Sequence, residues 1–294
     1  MLTFVTIGII QGAVIGLLAI GIVLVYKGSR VFNFAQAEFG SLGAFFLYSL
    51  LEVVHVPYGL AIPIALVGVG FVGFVVERLV VRPLFEAPRV TLLVATAGVA
   101  LLAIALELKI GGAEIRQLSP IVSGQALRVF GAVITWQQVI TLTVLGGLAA
   151  GLAYFFKKAD LGLAVLATSQ EPVATELVGI GTRRISTFIW VFAAVLGGVA
   201  GILQGSDTIF TPGFMTVNFL LLGFTAAVVG GVTSLAGAFV GGQVIGIIHA
   251  LGAYFDSKYI HSYVDIPGLP DLLVFAVLVT ILLVRPRGLL GSEA

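Results

Sequence analysis

Hydrophobic residues run through this chain in long unbroken stretches, set apart by short polar segments. Nine stretches stand out: residues 2–26, 33 to about 51, 58–81, 90–108, 136–156, 188–204, 217–232, 235–255 and 271–284. A helix needs about 20 apolar residues to cross a bilayer, so each reads as a membrane span. The stretch 217–232 is short, and a broken or re-entrant pair there leaves the count at eight or nine. Two polar segments are longer than turns. The first, 109–135, is punctuated by Ser119-Pro120, Ser123-Gly124-Gln125 and Gly131, and Leu127-Arg128-Val129 alternates; this predicts a small hairpin or irregular cap. The second, 157–187, opens on Lys157 and Lys158 and closes on Arg183 and Arg184. Inside it Leu163, Leu166 and Ala167 recur at helical spacing, as do Val173 and Leu177. Pro172 suits a first helical turn, and Gly179 and Gly181 suit a helix stop. The pattern predicts two short amphipathic helices, 161–169 and 172–178, at the membrane surface, with Thr182 capping the next span. Such a segment either packs on its own bundle or offers a docking surface to a cytoplasmic partner.

The second span opens on Phe32-Asn33-Phe34-Ala35-Gln36. Asn33 and Gln36 have the spacing of a capping box. Glu38 follows within a turn, and Gly40, Gly43 and Ala44 permit close helix approach. A faint repeat is present: Asn33-Phe34 precedes Ser41-Leu42-Gly43-Ala44-Phe45, and Asn218-Phe219 precedes Ser234-Leu235-Ala236-Gly237-Ala238-Phe239. With alternating spans the two asparagines start helices of opposite direction, as in an inverted repeat. The spacing differs between the copies, which coincidence explains equally well.

Composition makes the class firm. The 294 residues are 59% hydrophobic and 10% charged, with a mean hydropathy of +1.16. Soluble domains carry about 25% charged residues. The expected fold is all-α, a polytopic membrane bundle in contact with lipid, forming one transmembrane domain over 1–294. A net charge of +1 gives no basis for nucleic-acid binding, and the absence of cysteine excludes disulfides and thiolate chemistry. No basic stretch precedes the first apolar run, which reads as an uncleaved span rather than a signal peptide. Placing 157–187 in the cytoplasm and alternating the spans puts 11 of the 15 Lys and Arg inside and 4 outside, a strong positive-inside bias. The segment 109–135 then lies outside.

Polar groups within the spans are few: Gln11, Gln36, Glu38, Glu107, Gln204, Gln243 and His249. A charge at mid-membrane costs about 2.5–3.5 kcal/mol on insertion scales. Glu107, near a span end and close to Lys109, reads as interfacial. Glu38 reads either as a partner of a positive helix N-terminus or as a pathway residue, together with Asn33, Gln36 and Asn218. His249 reads as a packed, hydrogen-bonded side chain. No catalytic, metal-ligand or cofactor motif is present, and no phosphate-binding G-x-x-x-x-G-K-[ST]. ATP-driven transport would need its ATPase on another chain.

At this point the sequence resembles a family. Asn33-Phe34-Ala35-Gln36-Ala37-Glu38 is similar to the N-F-A-h-G-e signature of LivH-type permeases of branched-chain amino acid ABC transporters. The segment from Gly162 to Ser169, followed by Ala174 to Ile180, resembles their cytoplasmic coupling loop. Gly230-Gly231-Val232-Thr233-Ser234 through Gly242 resembles G-G-x-G-S-x-x-G-A-x-x-G-G, and Arg285-Pro286-Arg287-Gly288-Leu289-Leu290-Gly291 their R-P-x-G-L-x-G. The departures are Gln36-Ala37 for His-Gly and Thr233 for glycine, and they bear on substrate more than on family. The resemblance implies a subunit of the bacterial inner membrane that is not an enzyme. Its implied partners are ABC ATPase subunits, a second homologous permease and an extracytoplasmic solute-binding protein. It also implies that Gly162, Leu163, Leu166, Ala167, Ala174, Leu177 and Gly179 meet the ATPase. The competing classes are a stand-alone secondary transporter or channel, and an intramembrane enzyme.

Overall fold

A computed structural model describes residues 1–129, 132–260, 266–285 and 288–291. Gly131, His261, Asp265, Pro286 and Arg287 lie outside the described residues. The helices are α1 (Leu2–Ser29), α2 (Gln36–Tyr48), α3 (Tyr58–Val76), α4 (Arg89–Gly111), α5 (Trp136–Lys158), α6 (Asp160–Gln170), α7 (Pro172–Leu177), α8 (Thr182–Asp207), α9 (Phe214–Gly230), α10 (Leu235–Phe255) and α11 (Leu269–Val284). Short strands β1 (Arg116–Gln117) and β4 (Ile209–Phe210) pair antiparallel, as do β2 (Gln125–Val129) and β3 (Ala132–Thr135). The hairpin expected within 109–135 is therefore β2–β3, with Arg128 opposite Val133.

All nine apolar stretches are helical. Six are long and apolar enough to cross a membrane: Leu2–Ser29, Tyr58–Leu84, Arg89–Gly111, Trp136–Lys158, Thr182–Asp207 and Leu235–Tyr259. The other three, α2, α9 and α11, have 13, 17 and 16 residues. At about 1.5 Å per residue they fall short of a hydrocarbon core about 30 Å thick. The short stretch expected at 217–232 is α9, and α2 is shorter than its sequence run because it starts late and ends in a π-helical turn, Ser49–Val53. The two amphipathic helices between the fifth and sixth long stretches are α6 and α7, with Pro172 in the first turn of α7 and Gly179 left-handed at φ 88°. Thr182 is not a cap: Gly181 holds that position, and the Thr182 hydroxyl donates to Glu176 Oε1.

The chain forms two compact units, one of residues 1–20, 122–149 and 221–293, the other of 21–121 and 150–220. In the first, α1 meets α10 along glycines. A Cβ on Gly242 would stand 2.3 Å from Gly16 N, and one on Gly246 2.4 Å from Gly8 O. The loop after α9 turns on Gly231, and the Ser234 hydroxyl caps α10 by accepting the Gly237 N–H at 3.0 Å. Beyond α11, Leu289 and Leu290 N–H donate to Val229 O and Gly230 O at 2.7 and 3.1 Å. Two motifs far apart in sequence thus close on each other, where a Cβ on Gly288 would meet Val228 O at 2.5 Å.

In the second unit α2 and α3 pack on α8. Gly40 and Gly43 face Gly197, Gly198 and Gly201, so backbones touch directly. Lower on α8, a Cβ on Gly73 of α3 would come within 2.9 Å of Trp190 O. Arg116 on β1 lies 5.1 Å from the rings of both Phe45 and Tyr48 and donates to Gly111 O, so the segment after α4 is pinned to the far end of α2.

Candidate functional site

The site begins where α2 begins. Gln36, its first residue, donates Nε2 to Ala193 O at 2.8 Å. Ala193 lies about 16 Å along α8 from Thr182 at 1.5 Å per residue, so α2 starts part-way along its neighbour, not at its end. The Phe34 N–H agrees, donating at 3.2 Å to Thr96 Oγ1, about 10 Å along α4 from Arg89. The connection from α1 therefore re-enters the bundle before turning helical. Gly21 of α1 and Gly197 of α8 leave the gap that Gln36 fills, since a Cβ on either would approach its amide nitrogen, to 2.3 and 3.2 Å.

The capping box does not form. Asn33 Oδ1 accepts the Ala35 N–H at 2.9 Å, Asn33 Nδ2 donates to Gln36 Oε1 at 3.4 Å, and Gln36 reaches across to α8 instead of back to Asn33 N. Ala35 is the N-cap residue and offers no side-chain cap. The positive end of a short helix is thus enclosed within the unit beside buried Asn33 and Gln36.

Glu38 is 1% exposed. It stands in the first turn of α2, beside the positive end of that helix. Oε2 accepts from Thr216 Oγ1 at 2.5 Å and from Ser41 Oγ at 3.4 Å, while Ser41 Oγ accepts the Met215 N–H at 3.2 Å. Glu107, expected at the interface, is 4% exposed and accepts the Gly213 N–H through Oε2 at 2.9 Å. The two carboxyl groups are neighbours, and Oε1 of each meets no donor among the described residues. The pair joins α2, α4 and the start of α9.

Asn33, Gln36 and Glu38 are brought together; Asn218 is not. It is exposed on α9, and its amide donates to Phe214 O at 2.7 Å. Sequence reasoning did not bring Ser41, Thr96, Gly213 and Thr216 to the site, and it read Glu107 as interfacial. Ser41, one helical turn after Glu38, was the available signal; the others come from distant segments. His249, expected to be packed, is partly exposed and sits 3.4 Å from Asp271 on α11.

The other candidate feature is α6–α7. Gly162 lets α6 fold back on the end of α5, where a Cβ would stand 2.5 Å from Phe155 O. Val165, Thr168, Ser169 and Thr175 turn inward. Leu163 is 47% exposed, Leu177 83% and Val178 76%, and Ala167, Ala174 and Gly179 are also exposed. Leu166, expected on the exposed stripe, is only half-exposed, because it stands at the edge of the face that carries Val165 and Ser169.

The chain as a whole is similar to known proteins. A family profile described as "Branched-chain amino acid transport system / permease component" matches residues 4–282. The high-affinity branched-chain amino acid transport system permease protein BraD of Pseudomonas aeruginosa is 31% identical, over 97% of this chain and 94% of that one. LivH of Escherichia coli K12 is 30% identical over 97% and 93%. The probable LivH of Methanocaldococcus jannaschii is 28% identical over 97% and 92%. Among solved structures, a chain of PsaBC from Streptococcus pneumoniae in complex with Fab superposes with a TM-score of 0.54, covering 97% of this chain and 92% of that one at 14% identity, a likeness of fold alone. The chain belongs to the family of permease components of branched-chain amino acid transport systems, and is a multi-pass inner-membrane permease subunit of an ABC importer.

Proposed function

We propose that residues 1–294 act as one permease domain moving branched-chain amino acids or a related small polar solute. A second homologous permease completes the pore, ATPase subunits dock on 157–187 in the cytoplasm, and a solute-binding protein delivers from the side of 109–135. The solute passes the buried start of α2, where Asn33, Gln36 and Glu38 gather, with Asn218 of α9 contributing from outside that cluster. The observation that carries this reading is the outward apolar surface of α6–α7. Leu163, Leu177 and Val178 are exposed in a segment flanked by Lys157, Lys158, Arg183 and Arg184. A short helix with such a stripe suits a groove on a partner. The test is Leu177→Asp in the purified transporter. The expected result is loss of the ATPase from pull-down with an unchanged melting temperature in detergent. An ATPase that stays bound, with normal transport, would overturn the docking.

A further inference from the structure

We infer that Arg30 and the Glu77–Arg82–Thr187 cluster are the two attachments through which movement of α6–α7 reaches the membrane-spanning helices. The inference rests on the docking of an ATPase at α6–α7. Helices of 11 and 6 residues are too short to hold their own shape. A push on them is transmitted only through what fixes them to longer elements.

Arg30 fixes the far end of α6. Its Nη2 donates to Ser169 O at 2.5 Å, one of the carbonyls a helix C-terminus leaves without an internal partner. A cation there also suits the negative end of the helix. Arg30 pays for this position in backbone strain, with φ at 55°. Glycine would be the relaxed choice, so the side chain is what the position uses. Arg30 directly follows α1 and leads into the connection that carries Asn33 and Gln36. Movement of Ser169 therefore acts on the one strand of chain that enters the buried cluster from this side.

The second attachment fixes the start of α8. Glu77 is 1% exposed, on the π-helical turn Glu77–Val81 that continues α3. Arg82 Nη2 donates to both Glu77 oxygens at 3.1 Å, and to Thr187 Oγ1 at 2.7 Å. The Thr187 hydroxyl donates to Glu77 Oε2 at 3.1 Å, and Arg82 also reaches Arg183 O at 3.4 Å. Thr182 Oγ1 donates to Glu176, tying α7 to the same end of α8. From there α8 runs as one helix to Ala193, whose carbonyl holds Gln36, and to Gly197 and Gly201 against α2. A buried ion pair adds little to stability over a hydrophobic pair of the same shape; what this one supplies is a fixed relation between α3 and the root of α8. The two attachments thus lead from the docking helices to α2 by separate routes, one through the α1–α2 connection and one along α8.

Two variants test the inference in the complete transporter reconstituted with its ATPase, second permease and binding protein. Arg30→Gly removes the guanidinium and relaxes the backbone. Thr187→Val removes the bridging hydroxyl, keeps the shape and leaves Glu77 paired with Arg82. Each is expected to keep the ATPase in pull-down, keep its melting temperature and hydrolyse ATP, while solute moved per ATP falls about tenfold. An unchanged ratio in both variants, with Leu177→Asp still releasing the ATPase, overturns the attachments and leaves the docking standing. ATPase retained by Leu177→Asp overturns the docking and this inference with it. Release of the ATPase, or a fall in melting temperature, by Arg30→Gly and Thr187→Val also overturns it, because the residues then only hold the surface in shape.

Discussion

The start of α2 and the α6–α7 segment break the usual distribution of side chains in opposite directions. At α2, Asn33, Gln36, Glu38, Ser41 and Glu107 are buried among apolar helices. At α6–α7, Leu163, Leu177 and Val178 face outward while Thr168, Ser169 and Thr175 are turned in. Scattered apolar residues at a surface need no explanation, but buried polar groups and contiguous exposed apolar ones do. The first region is tied to other segments of the same unit through Ala193, Gly213, Met215 and Thr216, with Oε1 of Glu38 and of Glu107 left over. The second leaves its apolar surface without a partner among the described residues. If the first is the solute's path and the second a docking face, as proposed, substitutions should separate them by what is lost, transport or assembly.

The largest effect is expected at the glycine contact that lets α2 enter the unit. A Cβ on Gly201 would stand 2.0 Å from Gly40 O, a backbone atom that cannot swing aside. Overpacking typically costs about 1–3 kcal/mol and more where backbone must move, so Gly201→Leu should abolish folded protein on size exclusion in detergent. A well-folded Gly201→Leu would mean that the α2–α8 contact is looser than the structure has it.

Next is the outward face of α6–α7. Losing an interface anchor costs about 2 kcal/mol, roughly thirtyfold in affinity, and a buried charge adds to that. Leu177→Asp should show this loss against the ATPase while the permease melts normally. Val165→Asp, on the inward face of the same segment, should instead lower the melting temperature, because Val165 is fully buried. If the two substitutions behave alike, the segment has no outward face distinct from its inward one.

Glu38 comes third. Glu38→Ala strips acceptors from Thr216 and Ser41 at the joint with α9, an unsatisfied-donor cost of about 1–3 kcal/mol. Transport is expected to fall about tenfold with ATPase assembly intact, since a coupling change of about 1.4 kcal/mol is a factor of ten. Glu38→Gln, which keeps an acceptor and brings a donor toward Glu107, should fall less. Wild-type flux in Glu38→Ala would remove the residue from the pathway.

Much of this comparison was legible in the sequence, unevenly. The α6–α7 segment was readable because its signals are local: Pro172, Gly179 and an i, i+3, i+4 stripe within a few turns. The stripe's phase was read one position off at Leu166, because burial is set by α6 folding back on α5 at Gly162, a tertiary contact. At α2 the residues Asn33, Gln36 and Glu38 were found, but their depth was not. Depth depends on Ala193 and Thr96, which lie in helices that the hydrophobic pattern cannot order in space. Glu107 was misjudged for the same reason: sequence placed it by distance from a helix end, whereas the structure places it by Gly213 and Glu38. The close approach of Gly288, Leu289 and Leu290 to the loop after α9 was equally invisible, since backbone hydrogen bonds leave no side-chain pattern.

The smallest effect is expected at Asn218, and it sharpens the boundary of the buried region. Asn218 shares an Asn-Phe dipeptide with Asn33, and sequence reasoning grouped the two. Their settings differ: Asn33 is 2% exposed and holds the Ala35 N–H, whereas Asn218 is exposed and returns its amide to Phe214 O within its own helix. A side chain of that kind contributes little, and substitutions at such positions usually lie within about 0.5 kcal/mol of neutral. Asn218→Ala should therefore leave the melting temperature unchanged, while Asn33→Ala, which frees a buried N–H at the start of α2, should lower it. Transport separates the remaining choices. If Asn218 lines the path from beyond the cluster, Asn218→Ala lowers flux modestly, by less than Glu38→Ala, with no change in stability. Flux equal to wild type would confine the pathway's polar residues to the buried start of α2.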